Sequence, residues 1–183
     1  MFTRNSSSGS VVGVPPDPDL PGSEQMLQGP YRFAVAENQF YLLEDDDLDR
    51  VKNRTVSAAG NNGLVAGGVD HAVALAGISA GPAMISFDLA PDPLAADSSR
   101  PWEDVAAFDY TSTLGVTHLA TAMGPDEESD DLEAYEVNLA FNGPGNYRMR
   151  LHAQGRTLHP DGVQEEDEPI AEHYLLQVWP TTS

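Results

Sequence analysis

The chain has 183 residues, with 29 acids against 9 bases for a formal net charge of −20, and it contains no cysteine. That length supports one domain around one sizeable core. The charge repels DNA, RNA and anionic membranes and attracts cationic partners, while the missing cysteine excludes disulfides, thiolate metal sites and cysteine nucleophiles.

Residues 1–29 are rich in Ser, Gly and Pro: Ser6-Ser7-Ser8-Gly9-Ser10, Pro15-Pro16-Asp17-Pro18 and Pro21-Gly22. Proline removes ladder and helix donors, and the segment has too little apolar surface to offset its ordering entropy. The expectation is a disordered tail over 1–29 and a β-sandwich domain over 30–183. The start, Met1-Phe2-Thr3-Arg4, turns polar at once and lacks the apolar stretch of a secretory signal. No run approaches the roughly 18 apolar residues of a transmembrane helix. A cytoplasmic protein is expected, with no membrane or nucleic-acid partner.

From Tyr31 onward the pattern is strand, turn, strand. Candidate strands are 31–43, 64–67, 71–78, 83–89, 104–110, 116–123, 134–141, 146–154 and 173–179, separated by turn signals such as Asn61-Asn62-Gly63, Gly81-Pro82, Gly124-Pro125 and Asn142-Gly143-Pro144-Gly145. Eight or nine short strands at this spacing indicate an all-β sandwich or barrel, and the expectation is an antiparallel β-sandwich of about eight strands. A helix over 46–58 is weakened by Asn53, Thr55 and Val56. Tyr135, Val137, Leu139 and Phe141 alternate with polar or small residues, as do Tyr147, Met149, Leu151 and Ala153. The two runs predict a hairpin that sets Glu136 opposite His152 and Asn138 opposite Arg150. Ala72 to Ile78, small and apolar throughout, reads as a strand covered on both faces. Tyr174, Leu176 and Val178 are expected to pack on Tyr147, Met149 and Leu151.

Acid is clustered. The blocks Glu44–Asp49, Asp126–Glu133 and Glu165–Glu168 hold 15 of the 29 acids, and each falls in a predicted loop or strand end. Like charges at this density favour solvated loops. Asp45, Asp47 and Asp49 match the opening ligands of an EF-hand loop, but Arg50 stands where the glycine belongs and Val56 where the closing glutamate belongs. Asp126, Glu128 and Asp130 fail in the same way, with Asp131 and Val137. Calcium bound between loops 44–49 and 126–133 therefore stands as an alternative without a motif.

The five histidines (His71, His118, His152, His159 and His173) form no metal-binding pair in sequence, although His152 and His173 can approach across strands. Gly77-Ile78-Ser79-Ala80-Gly81 meets the bare pattern of a nucleophile elbow. That elbow needs a helix after it, and Pro82 with a β-like run follows instead, so it reads as a hairpin turn. No catalytic, cofactor or metal site is expected. Arg148, Arg150, His152 and Arg156 read as internal counter-charge to the acidic loops rather than an anion site.

Two strings carry a resemblance. Gly145-Asn146-Tyr147-Arg148-Met149-Arg150-Leu151-His152-Ala153-Gln154-Gly155-Arg156 and Glu172-His173-Tyr174-Leu175-Leu176-Gln177-Val178-Trp179-Pro180, with Asn62-Gly63-Leu64-Val65 and Gln39-Phe40, resemble a family of acidic actinobacterial proteins over about 31–180. More distantly the plan resembles the competence protein J family, inhibitors of a DNA-entry nuclease. The clustered acid and the missing catalytic motif, together with this resemblance, lead to the expectation of a non-enzymatic binding module whose acidic loops engage a basic protein such as a nuclease or toxin; the resemblance itself assigns no inhibitory residue. Electrostatic steering would speed that encounter. The partner-binding residues would be Glu44, Asp45, Asp46, Asp47, Asp49, Asp126, Glu127, Glu128, Asp130 and Asp131. The competing readings are calcium-dependent recognition by a β-sandwich, or acid that serves only solubility or salt adaptation.

Overall fold

A computed structural model describes residues 24–45 and 63–182. The fold is all-β. Among the described residues, nine strands form one sheet in the order β3-β4-β2-β1-β5-β9-β8-β6, with β7 attached to β2. They are β1 (Met26–Ala36), β2 (Gln39–Leu43), β3 (Val65–Gly67), β4 (His71–Leu75), β5 (Ala80–Leu89), β6 (Asp104–Ser112), β7 (His118–Ala120), β8 (Gly145–Gln154) and β9 (His173–Pro180). A short helix, α1 (Glu133–Glu136), precedes β8.

The sequence predicts an antiparallel sandwich of two facing sheets. The structure corrects this to one continuous sheet, rolled into a nearly closed barrel. The ladder does not break, because β9 is paired along both edges: antiparallel to β8 and parallel to β5. The two sheet ends meet at a seam. There the Asp70 amide donates to the Thr111 carbonyl at 2.9 Å, and the Thr111 amide donates to the Gly68 carbonyl at 3.1 Å. Gly67 lets the backbones come this close, since a Cβ there would lie 2.2 Å from the Phe108 ring and 2.8 Å from the Asp109 carbonyl oxygen.

The predicted strand 31–43 is two strands. Glu37 and Asn38 take φ of 57° and 59°, the left-handed pair that a two-residue hairpin turn demands, and Ala36 pairs with Gln39 across it. β1 also starts earlier than expected, at Met26, within the segment assigned to the tail. The predicted strand 134–141 does not form, because both edges of β8 are filled by β6 and β9. Glu136 and Asn138 therefore never face His152 and Arg150. Instead α1 and the following segment turn Ala134, Val137, Leu139 and Ala140 into the core. The Asn138 side chain replaces a ladder, accepting the Thr117 amide at 3.0 Å and donating to the Gly115 carbonyl at 3.1 Å.

The core fills the barrel. Phe33, Phe40 and Tyr174 meet edge to face, with centroids 5.0 to 6.2 Å apart. Met149 lies opposite Val178, and Leu151 opposite Leu176. All four are buried, as the alternation predicts. β4 is covered on both faces: Ala72 and Ala74 point into the core, and Val73 joins Tyr41 and Leu43 in an outer cluster. Among the described residues no helix is long and apolar enough to cross a membrane.

Candidate partner interface

β1 and β2 leave their hairpin as neighbours but pair only at Ala36 and Gln39. Beyond that point β7 takes over the edge of β2, with Leu42 opposite Leu119. The amides of β1 then face the second acidic block. The Asp131 carboxylate accepts the Arg32 amide at 2.7 Å. Asp130 accepts the Ala34 amide at 3.2 Å and the Tyr135 hydroxyl at 2.8 Å. Burial, foremost, and the Asp130 carboxylate push the Tyr135 phenol above its ordinary pKa, so it stays a donor.

The expectation of solvated loops is thus corrected for half of this block. Asp130 and Asp131 are half-buried and cap a strand edge, whereas Glu127 and Glu128 point to solvent. Asp126 is exposed but ordered by its own turn: it accepts the Ser129 hydroxyl at 2.7 Å and the Glu128 amide at 3.1 Å. Those hydrogen bonds, that of Ser129 first, hold its carboxyl below the usual range.

The third block joins the second through one residue. The Arg32 guanidinium pairs with Glu166, while the Arg32 backbone holds Asp131. Two of the three blocks therefore meet around β1. The first block sits at the end of β2. Its Glu44 carboxylate is occupied by the β6–β7 connection, accepting the Thr113 amide at 2.6 Å, the Thr113 hydroxyl at 2.5 Å and the Ser112 hydroxyl. Asp45 is exposed, and Asp46, Asp47 and Asp49 lie outside the described residues, as does the helix considered over 46–58.

Among the described residues, Arg148 in β8 and Arg156 just after it pair with β6 rather than with these blocks, contrary to expectation. Arg148 pairs with Asp109 at 2.8 Å and Arg156 with Asp104 at 2.7 Å, both on β6. Arg150 instead donates to the Gln177 side chain at 3.1 Å and the Leu94 carbonyl at 3.0 Å, with its guanidinium 5.1 Å from the Trp179 ring centroid. Among the described residues, Arg32 is a cation that ties acidic loops together, and it was not a candidate from sequence. Its one signal is its place as a lone base in an apolar strand.

Two further polar constellations escaped sequence reasoning. Glu172 is fully buried, and its carboxylate accepts the Ile78 amide at 2.6 Å, the Gly77 amide at 3.2 Å and the Tyr174 hydroxyl. It thereby fixes the glycine-bracketed loop around Ser79. That loop joins β4 to β5, which are not neighbours in the sheet, so it is a crossover and not the expected hairpin turn. The Ser79 hydroxyl donates to the Gly162 carbonyl at 2.9 Å. On the outer face of β5, β9 and β8, Gln25 donates to Asp88 at 2.8 Å, Gln177 donates to Asp88 at 3.2 Å, and His152 Nε2 lies 3.0 Å from Gln177 Oε1. Trp102 covers His152, their ring centroids 5.4 Å apart. His173 lies on the same face, one diagonal step away. Among the described residues no group of three or more His, Asp or Glu side chains is arranged to hold a metal ion.

No protein-family model and no curated protein matches the chain, so the likeness to acidic actinobacterial proteins remains an observation on sequence. Two solved structures share the fold. One is ComJ of Bacillus subtilis, described as the inhibitor of the DNA-degrading activity of NucA. It superposes with a TM-score of 0.56 at 14% identity, over 87% of this chain and 100% of that one. The other is the crocagin biosynthetic gene J product, with a TM-score of 0.50 at 12% identity, over 86% of this chain and 99% of that one. The distant resemblance to competence protein J is therefore a resemblance of the whole barrel, and at these identities it concerns the fold.

Proposed function

We propose that this protein is a non-enzymatic binding module that engages a basic protein through its acidic loops and acts as an inhibitor of a nuclease or toxin. The observation that carries the reading is the division of labour within the block 126–131. Asp130 and Asp131 anchor the loop to β1, so Glu127 and Glu128 are displayed from a fixed base rather than a floppy tether. Preorganised charge loses less entropy on binding than mobile charge does. The shared fold with a nuclease inhibitor supports the same direction, and the net charge of −20 favours fast encounter with a cationic surface. A cytoplasmic setting, in which a cysteine-free chain loses nothing, belongs to this proposal.

The test uses the protein as an additive. Extract from the native host degrades linear DNA at a measurable rate, and added protein should slow it at low salt and lose effect as salt rises. Glu127→Gln with Glu128→Gln should weaken the inhibition without altering the melting curve. If neither DNA degradation nor any purified basic nuclease responds to the wild type at low salt, the nuclease-inhibitor reading is wrong.

A further inference from the structure

Where β7 lies against β2, the outer surface carries a groove of about 350 Å³. Leu43, Leu119, Ala120, Pro125 and Tyr135 give it a mostly apolar lining. Acid begins at its rim, where the exposed Asp126, Glu127 and Glu128 follow the lining residue Pro125. Met123, which in sequence lies between the lining residues Thr121 and Gly124, is 84% exposed. The groove is held in shape, because the Tyr135 hydroxyl is fixed to both Asp130 and the Ala34 amide.

We propose that this groove seats one apolar side chain from a basic segment of the protein partner, with Lys or Arg beside that anchor facing the Asp126–Glu128 turn. This rests on the binding-module reading and specifies which surface does the binding. Charge selects the occupant. A second copy of this chain brings the same acidic rim and a charge of −20, and nucleic acid brings phosphates; both are repelled. An acidic surface alone attracts any cation, whereas a dry anchor site beside it discriminates among them. The thioether of Met123 adapts to differently shaped anchors. Binding then has two separable parts. The charges set the association rate and its salt dependence, and the anchor sets the dissociation rate.

Random peptides displayed on phage, selected against the wild type at physiological salt, test this. Enriched peptides should carry an aromatic or aliphatic residue flanked closely by Lys or Arg. Filling the groove with Ala120→Trp, or more mildly with Ala120→Leu, should weaken them by about tenfold or more and leave the salt dependence unchanged. Glu127→Gln with Glu128→Gln should flatten the salt dependence. Each variant is used only if its melting curve matches the wild type, and the two groove variants guard against the loss of one. Basic peptides without an apolar anchor, or equal binding to the filled groove, would overturn the groove and leave the binding-module reading standing. Enrichment of uncharged or acidic peptides would overturn both. Self-association of the wild type that the groove variants abolish would make a second copy the occupant and overturn the proposal.

Discussion

Asp131 imitates a strand residue against Arg32: its carboxylate accepts the Arg32 amide at 2.7 Å, and its own amide donates to the Arg32 carbonyl at 3.0 Å. The exchange closes the stretch of β1 that β2 leaves open. An uncovered strand edge is a template for unwanted pairing, and here two aspartates of an acidic loop cover it.

Asp131→Ala should therefore destabilise the fold by about 1–3 kcal/mol, the cost of a half-buried amide left without its acceptor. Glu128→Ala, only a few residues away but exposed, should be close to neutral or slightly stabilising through relieved repulsion. Urea titration of both variants distinguishes them. Equal losses would mean that the block has no inward and outward halves.

Leu176 is buried opposite Leu151 in the middle of β9, a strand paired along both edges. Leu176→Ala should lower stability by about 2–5 kcal/mol, since neighbours locked in two ladders cannot collapse into the cavity. A smaller change in the denaturation midpoint than that of Asp131→Ala would contradict the assignment of the core.

Glu172→Ala should cost about 1.5–3 kcal/mol, because charge-assisted bonds to the Ile78 and Gly77 amides are lost inside the barrel wall. The same two amides should lose protection in hydrogen exchange, while amides of β8 keep theirs. Glu172→Gln should restore part of the protection. Uniform loss across the sheet would show instead that Glu172 supports global packing.

Burial, foremost, holds the His152 imidazole below the ordinary histidine pKa, against smaller opposing effects of its Gln177 contact and the Asp97 charge. The unfolded chain takes up this proton near pH 6.5, and the folded chain only at lower pH. Stability from His152 is therefore fully present above about pH 6.5 and declines as pH falls below it. Burial and then Arg100 depress His173 in the same direction. The difference in urea midpoint between wild type and His152→Gln, which cancels the contribution of the carboxylates, should shift against the wild type between about pH 7.5 and 5.5. A difference independent of pH would remove the effect.

Strand identity was legible where one residue in two is apolar. Tyr147, Met149 and Leu151 in β8, and Tyr174, Leu176 and Val178 in β9, follow from the two-residue period of a half-buried strand, and their mutual packing follows with them. The distribution of charge was equally plain, because counting acids needs no structure. Competition for edges was not legible. The run 134–141 alternates as well as β8 does, yet it forms no strand because β6 and β9 fill both edges of β8. The turn at Glu37 and Asn38 offered only the asparagine as a signal, since glutamate is uncommon at positive φ. Closure of the barrel depends on Gly67 meeting Phe108 and Asp109 some forty residues on. The fates of the acids were settled at the same level. Asp126, Glu127, Glu128, Asp130 and Asp131 read alike along the chain, and only the splaying of β1 from β2 gave two of them amides to cap. Sequence fixes what a residue is able to bind; the tertiary structure decides which groups come within its reach.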